Sequence, residues 1–314
     1  MKICCIITTY NNRSNFVTKV VKRLISEKIS KIIILNNNSY YVSKQKLNEL
    51  SKTYPFIDLI EFKKNIGTAK AIKFGLKKAS SSKDIDFIWI LDDDNLPKKN
   101  TVKYLLGNYL IEKKNYTKVF TPIRCNLEQY KRYLKGYYDF KFYENNFIKF
   151  NIIKNFLNLL FKKKLKVKKV EKIQMAPYGG LFFHKSLIDT VGFPNTKFVT
   201  YGDDYDYTYR MTKKKFSILI DKKYLVEDLS PTFGSKSYFD KEIHEKKIYY
   251  QLRNHTYISK KFITKKLYYN INMCLFIIYL VTINISNIFK PFFFQKRLRL
   301  ILKAIRDGNS NKNL

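Results

Sequence analysis

Apolar and polar positions alternate in blocks along the first 125 residues. Residues 2–9, apolar after Lys2, read as a buried strand, closed by a Tyr10-Asn11-Asn12 turn. Ser14 is placed to cap a helix whose apolar positions Phe16, Val20, Val21, Leu24 and Ile25 follow helical spacing. A second strand over 31–35 runs into Asn36-Asn37-Asn38-Ser39. A helix through Leu47 and Leu50, a third strand over 56–62 and a helix opening at Asn65-Ile66-Gly67-Thr68-Ala69 come next. The fourth strand, Phe87-Ile88-Trp89-Ile90-Leu91, runs straight into Asp92-Asp93-Asp94, and Pro97 stops it. A helix over 100–113 and a strand over 118–124 continue the pattern. Strands alternating with helices predict βαβ units and a mostly parallel sheet flanked by helices.

Such sheets bind ligands outside the carboxyl ends of their strands. Thr8-Thr9-Tyr10, Asn36 and the three aspartates all fall at those ends. Three adjacent carboxylates at the end of a buried strand repel one another unless neutralised. A divalent cation with a taste for oxygen, Mg²⁺ or Mn²⁺, fits that need and would hold a phosphorylated ligand. An acidic turn in water is the plain alternative.

Beyond residue 125 the pattern is less regular. Residues 126–173 read as an insertion with a crowded apolar stretch from Phe147 to Phe161 and seven lysines between Lys162 and Lys172. That combination suits either a membrane surface or a packed helix with a solvated tail. A strand over 175–184 is interrupted by Gly179-Gly180, which marks either a close approach to a ligand or a bulge. In Tyr201-Gly202-Asp203-Asp204-Tyr205-Asp206 the two leading aspartates fall in a helix's first turn, where the dipole favours them; Asp204 is also a candidate general base. A polar helix over 241–263 precedes 23 uncharged residues, 267–289, which are expected to span a membrane, lie in its interface or pack on the protein. A final helix over 292–306 is basic and amphipathic.

Composition alters this picture little. The chain of 314 residues carries a net charge of +36, spread evenly: 20 Lys/Arg against 9 Asp/Glu in residues 1–110 and 41 against 16 in the rest. A nucleic-acid binder would concentrate that charge, so no nucleic-acid partner is expected. An attraction to anionic membrane surfaces follows instead. Four scattered cysteines lack disulfide or metal-site spacing, and the short apolar start is no signal peptide, which together predict a cytoplasmic protein. Three histidines and the lack of a Gly-x-Ser-x-Gly stretch or a Walker loop leave hydrolase triads and P-loop chemistry without support.

The islands Ile6-Ile7-Thr8-Thr9-Tyr10-Asn11, Asn36-Asn37-Asn38-Ser39, Asn65-Ile66-Gly67-Thr68-Ala69 with Gly75, Ile90-Leu91-Asp92-Asp93-Asp94 and Gly202-Asp203-Asp204-Tyr205-Asp206 stand in the order and spacing of family 2 inverting glycosyltransferases. The chain resembles that family over about residues 2–307, and its last third is similar to bacterial rhamnosyl- and galactofuranosyl-transferases. The resemblance implies a GT-A (Rossmann-like) domain over 1–240, with a helical, membrane-associating extension over 241–314. It implies a UDP- or dTDP-sugar donor and a saccharide acceptor, lipid-linked, in cell-surface polysaccharide synthesis at the inner face of the membrane. Thr8, Tyr10 and Asn36 would contact the nucleoside, with Asn65 and Asp93 in the same donor cleft. Asp92 and Asp94 would hold the metal, Asp92 lying by the ribose and diphosphate. Asp204 would be the catalytic base, Asp203 and Asp206 would assist it, and Gly179 and Gly180 would line the sugar and acceptor cleft. Asn36 stands where the family usually has Asp. Glu227, Asp228 and His244 are candidates for a third metal ligand. Two rival readings remain: a sugar-phosphate nucleotidyltransferase, which would need glycines that Thr9-Tyr10-Asn11-Asn12-Arg13 lacks, and a non-enzymatic basic protein binding membranes or polyanions.

Overall fold

The computed structural model describes residues 1–111, 116–140, 143–151, 165–230, 238–284 and 291–310. The chain packs as two compact units: residues 1–139, 166–199 and 204–232 form the first, and 140–165, 200–203 and 233–314 the second.

The first unit is built on a sheet of nine strands among the described residues: β1 Ile3–Asn11, β2 Lys31–Ser39, β3 Ile57–Glu61, β4 Phe87–Asp92, β5 Asn95–Pro97, β6 Lys118–Arg124, β7 Val170–Ile173, β8 Leu181–His184 and β9 Ser217–Asp228. Their order is β3-β2-β1-β4-β8-β6-β9-β5, with β7 also on β9. The pairings from β3 to β4 are parallel. β8 runs antiparallel to both β4 and β6, so the expected parallel sheet is mixed beyond β4. The helices of this unit are α1 Ser14–Ser26, α2 Tyr41–Thr53, α3 Thr68–Ser81, α4 Thr101–Ile111, α5 Glu128–Leu134, α6 Leu187–Val191 and, from its second residue on, α7 Asp203–Lys213.

Burial explains the apolar runs. Cys4 to Ile7, Ile32 to Leu35 and Phe87 to Leu91 are all fully inaccessible, covered on both faces by helices and loops. Truncating one such residue to Ala removes packing on two sides, a change costing about 2–5 kcal/mol. β1 to β3 each run longer or shorter than their apolar cores: the triple Asn of β2 stays in strand geometry to Ser39.

The second unit holds α8 Glu245–Ser259, a short 3₁₀ turn Lys260–Phe262, α9 Lys266–Thr282 and α10 Pro291–Asn309. Ile248 and Leu252, Tyr269 with Phe276 and Leu280, and Ile301 with Ala304 and Ile305 meet there with Phe147 in one apolar core. The amphipathic face of α10 is thus consumed inside the unit. Pro291 opens α10 at a position where its missing N–H costs nothing. No helix among the described residues is long and apolar enough to cross a membrane. The lysine-flanked apolar stretch expected between 147 and 172 falls mostly at 152–164, outside the described residues.

Candidate active site

Parallel register sets the site. Thr8 sits across from Asp92 on one side and Leu35 on the other, and Thr9 is paired with Asn36, which is paired with Glu61. The carboxyl ends of β4, β1, β2 and β3 therefore form one edge. The turn after β4 carries the three aspartates.

Each aspartate has a distinct environment. Asp93 is buried; Arg13 Nε donates to both its oxygens at 2.8 and 2.9 Å, and Thr9 Oγ1 donates at 2.8 Å. Burial pushes its carboxyl up to about 7, with Arg13 pulling it back and Asp94 adding to the rise. Asp94 receives Arg13 Nη2 at 2.6 Å and the Ser230 hydroxyl. Asp92 keeps 45% of its side-chain surface open. Desolvation by the surrounding protein pushes its carboxyl up to about 6; Arg124, 3.8 Å away, opposes this, and the charges of Asp94 and Asp228 reinforce it.

Asp228, at the end of β9, has a fully buried side chain and is held by Arg124 Nε at 2.9 and 3.0 Å, Arg124 Nη2 at 2.6 Å and Asn95 Nδ2 at 2.7 Å. Those donors saturate it, which removes it as an open metal ligand. Glu227 is half-buried and meets Lys98 at 3.4 Å, and His244 caps α8 by accepting from Lys246 N. Among the described residues no group of three or more His, Cys, Asp or Glu is arranged to hold a metal ion. A two-carboxylate site completed by substrate phosphate and water is the usual pattern for Mg²⁺. The four carboxylates Asp92, Asp93, Asp94 and Asp228 face two guanidiniums, Arg13 and Arg124, so acidic groups outnumber basic ones here and a bound cation would favour their ionised forms. The residues present fit such an ion.

Gly179 belongs to the turn that leads into β8, not to a strand interior. A Cβ there would lie 2.4 Å from Asn95 Oδ1 and 2.6 Å from Asp92 Oδ2, so only glycine lets the backbone pass over the Asp92 carboxylate. Gly180, at φ +93°, donates its N–H to Ile90 O and accepts from the Tyr224 hydroxyl, which in turn accepts from Trp89 Nε1 at 2.6 Å.

Asn36 is fully buried, and both ends of its amide are used: Nδ2 donates to Glu61 Oε1 at 2.9 Å and Oδ1 accepts from Ser39 N. Glu61 is thereby the group this corner of the edge offers to a ligand. Asn65 Oδ1 accepts from Asn37 Nδ2 and Gly67 N, so it shapes the entry to α3. Tyr10 is 40% exposed, and the Thr8 hydroxyl is buried with no partner.

Asp204 lies in the first turn of α7, half-buried, its Oδ1 accepting from Tyr205 N at 2.8 Å. Tyr130 and Tyr205 both feel the charges of Asp204 and of Arg124, and burial pushes both phenols up. Asp206 is buried and meets Arg210 Nε at 3.2 Å; Asp203 is buried in the second unit.

The sequence reading did not single out Arg13, Arg124, Asn95 or Ser230. Arg124 had one usable signal: it ends an apolar strand, as the aspartates do.

The mixed α/β sheet with its acidic edge is of the GT-A type, and the known proteins agree. The glycosyl transferase family 2 profile matches residues 4–192, so the chain belongs to that family. The solved structure of GalNAc-T7 with UDP, GalNAc and Mn²⁺ superposes with a TM-score of 0.59 at 13% identity, over 83% of this chain and 48% of that one. This chain thus spans about half the length of GalNAc-T7. The mannosyltransferase PcManGT from Pyrobaculum calidifontis, in complex with GDP-Man and Mn²⁺, superposes with a TM-score of 0.56 at 12% identity, over 99% of this chain and 88% of that one. Sequence comparison with curated proteins gives no match.

Proposed function

We propose that the chain transfers a sugar from a UDP- or dTDP-sugar to a saccharide acceptor, lipid-linked, with inversion at the anomeric carbon and with Mn²⁺ or Mg²⁺ as cofactor. The carrying observation is the excess of carboxylates over guanidiniums around the Asp92–Asp94 turn, on the edge that Thr8, Thr9 and Glu61 share. Asp92 and Asp94 would hold the ion. When bound, it would neutralise the charge that builds on the departing nucleoside diphosphate. Arg13 and Thr9 hold Asp93, and with it the turn, in one conformation. Gly179 lets its turn lie directly against Asp92 and Asn95, so that turn would border the donor. Asp204 takes the proton of the acceptor hydroxyl as that oxygen attacks from the face opposite the leaving group. One displacement inverts the configuration.

The test is a panel of nucleotide-sugars titrated with and without Mn²⁺ against the native chain, Asp94→Ala and Asp204→Asn. One donor should bind only with metal. Asp94→Ala should lose that binding, and Asp204→Asn should keep it while losing transfer. Metal-independent donor binding that survives Asp94→Ala would sink the reading.

The same proposal places the enzyme peripherally on the cytoplasmic face of a membrane, as one step of surface polysaccharide synthesis. α9 supports this, being apolar on both sides: Tyr269, Phe276 and Leu280 face the core, while Leu267, Ile271 and Ile278 are 69%, 43% and 56% exposed. A helix apolar all round asks for a second apolar surface, and exposed Lys265 and Lys266 at its start suit anionic head groups. Co-sedimentation with phosphatidylglycerol vesicles should be lost in the Ile271→Glu, Ile278→Glu double variant. A native chain that stays in the supernatant with such vesicles would refute the placement.

A further inference from the structure

The far corner of the sheet edge has a chemistry of its own. Thr9, Asn36 and Glu61 lie in register across β1, β2 and β3, all within the first unit. Neighbouring strands lie about 4.8 Å apart, so Glu61, three strands from β4 in the order β3-β2-β1-β4, stands about 14 Å from the aspartate turn. A nucleoside diphosphate whose phosphates meet that turn reaches about as far with its base. Its ribose falls short, over β1 and β2.

What the corner recognises depends on which way the Asn36 amide faces. Asn36 is fully buried, and its Oδ1 accepts from Ser39 N at 2.9 Å. That backbone donor fixes the amide, because the reversed side chain would set one donor against another. Nδ2 therefore faces Glu61 and donates to its Oε1 at 2.9 Å. A carboxylate at position 36 would repel Glu61 at this distance, whereas the amide anchors it. Glu61 is exposed, and among the described residues its Oε2 makes no hydrogen bond or ion pair. One oxygen is held by the protein and the other is left to a ligand.

An ionised carboxylate only accepts hydrogen bonds. Uracil, thymine and guanine each carry a ring N–H beside a carbonyl. Cytosine and adenine carry a bare ring nitrogen there, whose lone pair would oppose the carboxylate's. We propose that Glu61, aimed by Asn36, is a specificity-determining residue: it admits donors whose base has a ring N–H and turns away cytidine and adenosine diphosphate sugars. This rests on the edge being the nucleotide-sugar site. Ribose hydroxyls are the other donors a nucleoside offers, but the strand spacing leaves them short of β3.

The experiment titrates UDP, dTDP, GDP, CDP, ADP and 2′-deoxy-UDP, each with Mn²⁺, into the full native chain, Glu61→Gln and Glu61→Ala, by calorimetry. The native chain should bind at least one of UDP, dTDP and GDP. CDP and ADP should bind about 10- to 100-fold more weakly, the weight of one hydrogen bond to a charged group. In Glu61→Gln, Asn36 still claims the side-chain oxygen, so the new amide nitrogen is left to the ligand as a donor. The preference should invert, with CDP gaining affinity and the ring N–H bases losing it. Glu61→Ala should bind without preference. Both variants should keep the native Tm, because the side chain is exposed. Equal native binding of UDP with CDP and of GDP with ADP overturns the proposal, as does a preference that survives in Glu61→Ala. A loss for 2′-deoxy-UDP that Glu61→Ala abolishes also overturns it, since Glu61 would then read the ribose. A native chain that binds none of these nucleotides removes the donor site and this proposal with it; a donor site blind to the base removes this proposal alone.

Discussion

From β3 to β4 all pairings are parallel, and β1, β2 and β3 each lead onward to a helix. From β8 to β5 the strands change direction and arrive from distant parts of the chain. The first half delivers Asp92, Asp93 and Asp94 to the edge. The second delivers Arg124, Asp228 and the Gly179 turn. The acidic turn thus comes from the regular half, and part of what holds it comes from the irregular one. A site of this kind can keep its chemistry while the irregular half changes, provided the charges still balance.

The comparison breaks first at the aspartates. Asp94→Ala should reduce transfer on the order of a thousandfold, several kcal/mol of leaving-group stabilisation, with little change in Tm, as measured by donor turnover and thermal melting. The mirror experiment is Arg124→Met. It leaves Asp228 buried and uncompensated, at a cost of about 3–5 kcal/mol in denaturant unfolding, and Arg124→Met with Asp228→Asn should recover part of that loss. A large stability loss from Asp94→Ala, or none from Arg124→Met, would erase the distinction between the halves.

Gly179→Ala tests where the halves meet. The added methyl would press on Asp92 and Asn95, and kcat/KM should drop by about 10- to 100-fold while the fold is retained by circular dichroism. The smallest effect is a matter of pH in the second unit. Burial, helped by Lys149, lowers His255 from its ordinary 6.5 to about 4. Between those values the unfolded chain binds a proton that the folded chain does not, so stability should fall as pH falls from about 6.5 towards 4. Melting curves across that window should show the slope in the native chain and a shallower one in His255→Asn.

Much of the regular half is legible in the sequence because strands buried on both faces spell unbroken apolar runs, as in Cys4-Cys5-Ile6-Ile7 and Phe87 to Leu91. The irregular half hides its signals. β5 spans three residues and β8 four, too short for any period, while β9 mixes buried Ile218, Ile220, Tyr224 and Val226 with exposed or polar neighbours. The site divides the same way. Three aspartates after an apolar run stand out, whereas Arg13 and Arg124 are two among 61 basic residues. Only the fold shows which cations are buried against a carboxylate. The amphipathic pattern of α10 was real, but pattern alone does not say whether the partner is lipid or the protein's own core, and here it is the core.

Trp89 is the chain's single tryptophan, and it is fully buried one hydrogen bond away from Tyr224, whose hydroxyl reaches the backbone of Gly180. The protein therefore carries one intrinsic fluorophore of this kind, wired to the glycine turn that overlies Asp92. If the proposed donor seats on that turn, the indole's emission should change, and unlabelled ligands could be titrated by the protein's own light.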